Sequence, residues 1–339
     1  MKRIVLNLVV IVVFLMSLSG CYVAGEESKV SETKTGNYDM SPVVTTLLEG
    51  NGTGLWYMLS NGISECLNKN YKNSIINITP GNSNSNILRL NENQSEFALL
   101  HSNLAHSAYN GLGAYEEKQE NLRAVATFYP SYAQFFLLES KGISSLEQLF
   151  EEKPKLRFSI GSAGGTFETA FIQLIDAYGY TIEDMENWGC RIERKSQSDA
   201  SKMLSDGALD GFFVVASAPN PTAVENSVNK DLVLLKMDTG KIKYVSEEYG
   251  YSQTVISKDV YDFLDEDLTT FATFSFLAAS ADTPDEKVYK ILRSISENLE
   301  YLKAIHASLD TLTLEYLASY QTIPMHPGAE KYFKEISVK

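Results

Sequence analysis

A glycine-rich turn between an apolar strand and an amphipathic helix constrains this chain more than any other feature. Residues 158–166 are Phe-Ser-Ile-Gly-Ser-Ala-Gly-Gly-Thr, and apolar side chains then recur at helical spacing from Phe167 to Tyr178. Glycines let a ligand approach the backbone, and the first N–H groups of a helix have no intrahelical partner. The run therefore predicts either an anion-binding turn or a plain strand–turn–helix corner without a ligand.

The N-terminus has the pattern of an exported protein. A basic pair and an apolar run, Ile4 to Leu18, precede a Leu-Ser-Gly-Cys sequence that ends at Cys21. This pattern is typical of a bacterial lipoprotein signal, and an ordinary secretory signal or a single membrane anchor is the alternative. We predict a signal peptide over residues 1–20, lipidation of Cys21 and a flexible tether over residues 21–40.

Charge and residue counts exclude several kinds of ligand. The chain has 43 acidic and 29 basic residues, a net charge of −14, which disfavours nucleic acid and anionic lipid as partners. Apart from Cys21, the remaining cysteines are Cys66 and Cys190, which we expect to be unpaired and buried. His101 and His106 are five residues apart, off a shared helical face, and we expect no metal site and no cofactor.

Each half of the mature chain repeats one order of elements: a strand, a glycine turn, a helix, and later a buried strand that ends in a small polar corner. The turns are residues 49–54 and 158–166, and the corners are residues 101–103 and 216–219. Ligands of open α/β sheets bind outside the carboxyl ends of the strands, so two such halves predict a cleft. One amphipathic helix is predicted from Val288 to Leu302.

Short motifs in a fixed order then identify a family resemblance. They include Gly52-Thr53-Gly54, Ala98 to Asn103, Tyr129-Pro130, Ile160 to Glu168 and Asp210 to Val215. Together, over roughly residues 41 to 336, they resemble the TAXI family, the extracytoplasmic solute-binding subunits of tripartite ATP-independent periplasmic (TRAP) transporters.

Two departures from the family pattern fall in the expected ligand wall. Residues 55–58 are Leu-Trp-Tyr-Met where the family usually has Thr-Tyr-Tyr-Pro, and residues 101–103 are His-Ser-Asn where Gln-Ser-Asp is usual. The ligand can therefore differ from the common glutamate-like one, whereas neither departure affects the fold.

The resemblance implies an α/β fold of the two-lobed, type II periplasmic binding protein kind. Each lobe would be a mainly parallel sheet flanked by helices, with the ligand cleft between the lobes. Lobe I would comprise residues 41–128 plus 275–339, and lobe II residues 129–274, with hinge crossings near residues 124–138 and 270–279.

The resemblance also implies a function. The chain would be a solute-binding lipoprotein and not an enzyme, a monomer anchored through Cys21 in the periplasm or on the outer face of a bacterial cell membrane. It would capture a small organic anion, a carboxylate or an amino acid such as glutamate, and deliver it to a TRAP-type permease. Two alternatives are a ligand-sensing lipoprotein that docks to a membrane receptor, and a secreted enzyme, for which no nucleophile motif is present.

The candidate ligand-binding residues come from both halves. Small hydroxyl and backbone donors can hold a carboxylate without a buried arginine, and aromatic rings form the apolar walls usual in small-molecule sites. For any one hydroxyl the alternative is helix capping or turn bonding, and for Trp56 it is burial in the core. The candidates are Thr53, Trp56, Tyr57, His101, Ser102, Tyr129, Ser162, Gly164, Gly165, Thr166 and Ser217.

Replacing Cys21 by serine tests the lipoprotein assignment. Serine has no thiol to accept a lipid, so the Cys21→Ser protein should accumulate as unprocessed precursor or leave the membrane as soluble protein. Membrane fractionation and intact-mass measurement distinguish these products from the mature lipoprotein. Unchanged processing and membrane retention of the variant would refute the assignment.

Overall fold

Two long strands, β4 (Leu122–Leu138) and β10 (Leu268–Ser280), pair antiparallel in the middle of the sheet. The computed structural model describes residues 39–50, 52, 54–319 and 322–338. The predicted signal peptide, Cys21 and nearly all of the predicted tether therefore lie outside the described residues. Residues 41–339 form one compact unit.

The remaining elements alternate along the chain, as an α/β fold requires. The other strands are β1 (Val44–Leu48), β2 (Ile75–Thr79), β3 (Phe97–His101), β5 (Arg157–Ser159), β6 (Arg191–Glu193), β7 (Gly211–Ala216), β8 (Leu232–Leu234) and β9 (Ser252–Ile256). The α-helices are α1 (Gly54–Asn70), α2 (Ser83–Asn91), α3 (Ser102–Asn110), α4 (Leu146–Glu152), α5 (Thr166–Ala177), α6 (Ile182–Asn187), α7 (Gln197–Ser205), α8 (Pro221–Ser227), α9 (Thr239–Tyr249), α10 (Asp285–Ser296), α11 (Leu299–Lys303), α12 (Leu314–Leu317) and α13 (Pro327–Glu335).

The strands form one ten-stranded sheet in the order β2-β1-β3-β10-β4-β7-β5-β6, with β8 beside β4 and β9 beside β10. We call β1 to β3 with helices α1 to α3 the first half, and β5 to β7 with helices α5 to α8 the second half. Within each half the short strands are parallel. β10 runs antiparallel to β3 of the first half, and β4 runs antiparallel to β7 of the second half. The predicted α/β class, with two halves of parallel strands flanked by helices, is thus confirmed.

The two halves share one sheet because β10 pairs with β3 of the first half, β4 pairs with β7 of the second half, and β4 and β10 pair with each other. Tyr132 of β4 is paired with Ala272 of β10 and with Ala216 of β7. The pairing of β4 with β10 therefore ends, and its pairing with β7 begins, at this residue. The β4–β10 register shifts between Ser275 and Phe276 and again between Leu277 and Ala278, and such bulges bend a strand and increase its twist. These strands coincide with the predicted hinge crossings, and the lobe boundaries remain a prediction.

Separate apolar cores support the two glycine turns. In the second half, Phe135 contacts the rings of Phe158, Phe171 and Phe213, with ring centroids 5.1 to 6.2 Å apart. All four rings are at most 1% exposed, and the predicted apolar face of α5 packs among them. The first half has its own core around Leu48, Leu90, Leu100, Ala124 and Phe276. Each glycine turn is therefore supported by a close-packed apolar core.

The predicted single helix from Val288 to Leu302 is wrong, because the chain forms α10 and α11 with a break at Asn298. The Asn298 amide donates to the Ser294 carbonyl at 2.9 Å and accepts from Lys69 Nζ at 2.6 Å. Such side-chain bonds compete with the helical backbone bonds and end the helix.

Two further expectations concern cysteines and membranes. Cys66 and Cys190 are both unpaired and buried, as predicted, and burial raises the pKa of the Cys66 thiol to about 11. Within the described part of the chain, no helix combines the length and the apolarity needed to cross a bilayer.

Asp210 joins three segments of the second half through its buried carboxylate. Its oxygens lie 2.7 Å from Arg157 Nη2 and 2.9 Å from Lys141 Nζ, and they accept the Arg157 backbone N–H at 2.8 Å. The Asp210 side chain is only 2% exposed. Although burial by itself would raise the pKa of Asp210, the bonds from Arg157 and Lys141 hold it below its ordinary value.

We predict that Asp210→Asn lowers the free energy of unfolding by about 1–2 kcal/mol at pH 7, a range reduced because Arg157 and Lys141 are partly exposed. Because the folded-state pKa is lowered, the wild-type advantage is complete above the unfolded pKa of about 4 and shrinks as the pH falls further. Urea unfolding at pH 7 and pH 3 measures the loss of unfolding free energy in the variant and the dependence of that loss on pH. Asp265→Asn, at an exposed carboxylate, is the control. Equal stability of wild type and Asp210→Asn at pH 7 would show that the Asp210 carboxylate does not stabilise the fold.

Candidate functional site

A cavity of about 650 Å³ lies between the first and second halves, at the carboxyl ends of β1, β3 and β5. Residues from both halves and from β4 line it, so neither half alone could form it. The lining residues are Gly50, Leu55, Trp56, Gly81, Asn82, Ser83, Asn84, His101, Leu104, Tyr129, Gly164, Gly165 and Thr166.

One side of the cavity is a row of residues across three adjacent strands. Ser275 of β10 faces His101 of β3 on one side and Tyr129 of β4 on the other. Trp56 reaches this row from α1, with its Nε1–H donating to Ser275 Oγ at 3.0 Å and its ring centroid 4.8 Å from that of His101. The fully buried Ser275 hydroxyl therefore fixes the Trp56 ring against the row.

The two titratable side chains of this row are neutral near pH 7. Burial lowers the pKa of His101 to about 4 and raises the pKa of Tyr129 to about 12, although hydrogen bonds with Ser275 and Trp56 partly oppose the second shift. Nδ1 of His101 is buried and has no hydrogen-bond partner among the described residues. The His101 side chain is thus a neutral imidazole in the cavity wall.

The opposite wall is the glycine turn that precedes α5. Gly164 has a φ of +69°, which glycine adopts without strain, and its N–H donates to Glu168 Oε2 at 2.6 Å. The Gly165 N–H donates to the Ser162 carbonyl at 3.0 Å. The first helical bond runs from Thr169 to the Gly165 carbonyl, so the N–H groups of residues 166–168 have no intrahelical partner.

Glu168 reaches back over this helix N-terminus and also pairs with Arg194. Partial burial of the carboxyl would raise its pKa, but the bonds from the Gly164 N–H and Arg194 outweigh that effect and lower the pKa of Glu168. The carboxylate is therefore ionised, and Arg194 compensates its charge.

The glycine turn of the first half is occupied by a carboxylate of its own. Glu49 is fully buried, and its two oxygens accept the N–H groups of Gly50 at 2.6 Å and of Gly52 at 2.8 Å. The Asn86 amide donates to the Glu49 backbone carbonyl at 2.8 Å. In this turn, which resembles the second one in sequence, the N–H groups of Gly50 and Gly52 are thus already bonded.

A polar loop before α2 supplies lining residues that sequence reasoning missed. Asn82 caps α2 by accepting the Ser85 N–H, and Ser83 Oγ accepts the His101 N–H at 3.2 Å. Asn84 Oδ1 accepts the Tyr115 hydroxyl at 2.8 Å. The Pro-Gly and Asn/Ser-rich sequence after β2 predicted a loop, but its distance along the chain from the other candidates gave no reason to place it at the site.

The structure brings six of the predicted site residues to the cavity: Trp56, His101, Tyr129, Gly164, Gly165 and Thr166. Four other predicted residues that the structure describes do not line the cavity: Tyr57, Ser102, Ser162 and Ser217. Thr53 lies outside the described residues.

These four residues have other surroundings. Ser102 is buried and its Oγ accepts the Phe274 N–H at 2.9 Å, which ties α3 to β10. Tyr57 is 44% exposed on α1, the Ser162 carbonyl closes the turn before α5, and the Ser217 carbonyl accepts the Gln134 amide at 3.2 Å.

The described lining residues include no lysine, arginine, aspartate or glutamate. Instead, the cavity receives the N-terminal residues of four helices, α1, α2, α3 and α5, each at least nine residues long. Each helix N-terminus carries a partial positive charge and unpaired N–H donors. The arrangement can hold an anion with neutral groups, and no nucleophile with an adjacent base lines the described cavity.

Comparison with known proteins gives a family match and several similar folds. Residues 48–336 match the model of the NMT1-like family. The chain is similar to a TctC solute binding protein from Polaromonas (15% identity, 88% of this chain and 98% of that chain, TM-score 0.49). It is also similar to MatC from Rhodopseudomonas palustris with bound malate (12% identity, 79% of this chain and 89% of that chain, TM-score 0.46). A third similar structure is the periplasmic aliphatic sulphonate binding protein SsuA from Escherichia coli (13% identity, 88% of this chain and 94% of that chain, TM-score 0.45).

Replacing Gly165 by valine tests whether the turn before α5 contacts the ligand. A Cβ at Gly165 would lie 2.9 Å from the Ser162 carbonyl oxygen, so the turn must shift, while the buried face of α5 is untouched. We expect Gly165→Val to weaken binding of the best small carboxylate in a panel by about tenfold or more, as measured by calorimetry. Ile172→Val, at an exposed position of the same helix, is the control. Full affinity of Gly165→Val would place the site elsewhere.

Proposed function

The chain belongs to the NMT1-like family, and on this premise we propose that it is an extracytoplasmic solute-binding protein that captures a small organic anion. The observation that carries the proposal is the cavity between the two halves, which collects four helix N-termini and no charged side chain from the described lining residues. Its volume of about 650 Å³ falls within the range of about 300–1,000 Å³ usual for small-molecule sites.

Neutral donors suit an anion that must be bound and later released. The N–H groups of residues 166–168 and the ends of α2 and α3 point partial positive charge at the cavity without adding a permanent cation. The Trp56 and Tyr129 rings supply apolar walls for the rest of a small ligand.

Closure of the two halves around the ligand follows from the same geometry. We propose that residues 41–128 with 275–339 and residues 129–274 move as two lobes about the shared strands β4 and β10. A ligand that contacts Trp56 on one side and Thr166 on the other favours the closed form by its differential affinity.

The finer assignment rests on the sequence motifs. We propose that the chain is a TAXI-type subunit, lipid-anchored at Cys21 on the outer side of a bacterial membrane, which delivers its ligand to a TRAP-type permease as a monomer. The ordered motifs from Gly52 to Val215 and the Leu-Ser-Gly-Cys sequence support this proposal. A permease gene adjacent to the gene for this chain would support transport, and an adjacent sensor-kinase gene would support sensing.

Tryptophan fluorescence tests the ligand site directly. Trp56 lines the cavity, whereas the second tryptophan, Trp188, packs edge-on against Phe150 in the second half. A bound carboxylate should therefore change the emission of the wild-type protein but not that of Trp56→Phe, and Trp188→Phe is the matched control. An unchanged fluorescence response in Trp56→Phe would contradict binding in this cavity.

Mass spectrometry of small molecules released from the denatured protein, followed by a thermal-shift screen of carboxylates, tests the ligand class. A ligand at 100 times its Kd should stabilise the native state by about 2.7 kcal/mol. If a neutral sugar or a free metal ion stabilises the protein while no carboxylate does, the proposal fails.

A further inference from the structure

The two walls of the cavity differ in charge, although their glycine turns look alike in sequence. Glu49 sits directly under the first-half wall, because its Oε2 lies 2.6 Å from the backbone nitrogen of the lining residue Gly50. Both Glu49 oxygens act as acceptors of N–H groups, as those of an ionised carboxylate do. The first-half wall therefore has a buried negative charge behind it.

No cationic side chain pairs with Glu49 among the described residues. In the second half, by contrast, the carboxylate of Glu168 pairs with Arg194. The second-half wall thus combines the N–H groups of residues 166–168, which have no intrahelical partner, with a compensated carboxylate. The described partners of the Glu49 carboxylate, by contrast, are backbone N–H groups.

This asymmetry assigns an orientation and a charge class to the ligand. Building on the proposed function, we propose that the protein selects monoanions: the ligand carboxylate binds the second-half turn, and an uncharged polar group faces the first half. A second carboxylate would approach the Glu49 charge in a partly desolvated cavity, where like charges repel far more strongly than in water.

The first-half wall has partners for an uncharged polar group. Asn82 and Asn84 line the cavity, and their side-chain amides have donors beyond the bonds that their oxygens make with the Ser85 N–H and the Tyr115 hydroxyl. Such groups suit a hydroxyl, carbonyl or amide, which can both donate and accept. A dicarboxylate would find no cation among the described lining residues of this half.

Matched ligand pairs test the inference in the full-length mature protein. Succinate with succinamate and glutarate with glutaramate each differ in the charge of one end and little in size. We expect the monoanionic member of the best-binding pair to bind at least about tenfold more tightly by calorimetry at pH 7.5. The preference should persist at 0.5 M salt, since the repulsion acts within the cavity.

Two variants trace the preference to the first-half wall. Glu49→Gln removes the charge with little change of shape, and it should reduce the preference to less than about threefold. Should that variant fail to fold, Asn84→Lys places a cation on the same wall and should shift the preference toward the dicarboxylate. Leu88→Lys, which adds the same charge to an exposed site one turn along α2, is the control and should leave the preference unchanged.

The outcomes separate this inference from the proposed function. If dicarboxylates bind wild type as tightly as their monoamides, or if the preference survives in both folded variants, the inference is overturned and the anion-binding function stands. If no carboxylate of either charge raises the Tm or binds, the proposed function fails and the inference fails with it.

Discussion

The antiparallel pairing of β4 with β10 is the constraint on which the rest of this structure depends. β10 also pairs with β3 of the first half and β4 with β7 of the second half, so the two strands join two separate apolar cores in one sheet. The same pairing places Tyr129 and His101 on either side of Ser275, and the register shift beside Ser275 bends the strands where the cavity opens. The cavity and its aromatic wall therefore have a common origin.

Backbone dipoles rather than charged side chains set the electrostatics of the site, and local carboxylates then modify them. Glu49 and Glu168 each bond N–H groups of a glycine turn, but among the described residues only Glu168 has a cationic partner, Arg194. A helix N-terminus whose N–H groups already bond a protein carboxylate has fewer donors and less positive potential left for an anionic ligand. Two turns with similar sequences thus become unequal walls of one cavity.

Much of the fold could be predicted from local patterns, because those patterns are themselves the causes of local structure. The strands β3 and β7, the long apolar segments of β4 and β10, and the buried face of α5 follow from hydrophobic periodicity. The break between α10 and α11 could not be predicted, because it depends on a bond between Asn298 and Lys69, which lie 229 residues apart. Ser102 shows the same limit, since its hydroxyl bonds to β10 instead of facing the cavity.

The sequence by itself determined the α/β class, the glycine turn before α5 and the small neutral residues at the carboxyl ends of the strands, since each depends on residues close together in the chain. Only the tertiary structure decided that residues 81–84 line the cavity beside Trp56, that Ser275 fixes the Trp56 ring, and that Glu49 occupies the first turn while Arg194 compensates Glu168. The physical reason is that hydrogen bonds and charges act through space, and the packing of distant segments, not local propensity, sets which groups come within reach of one another.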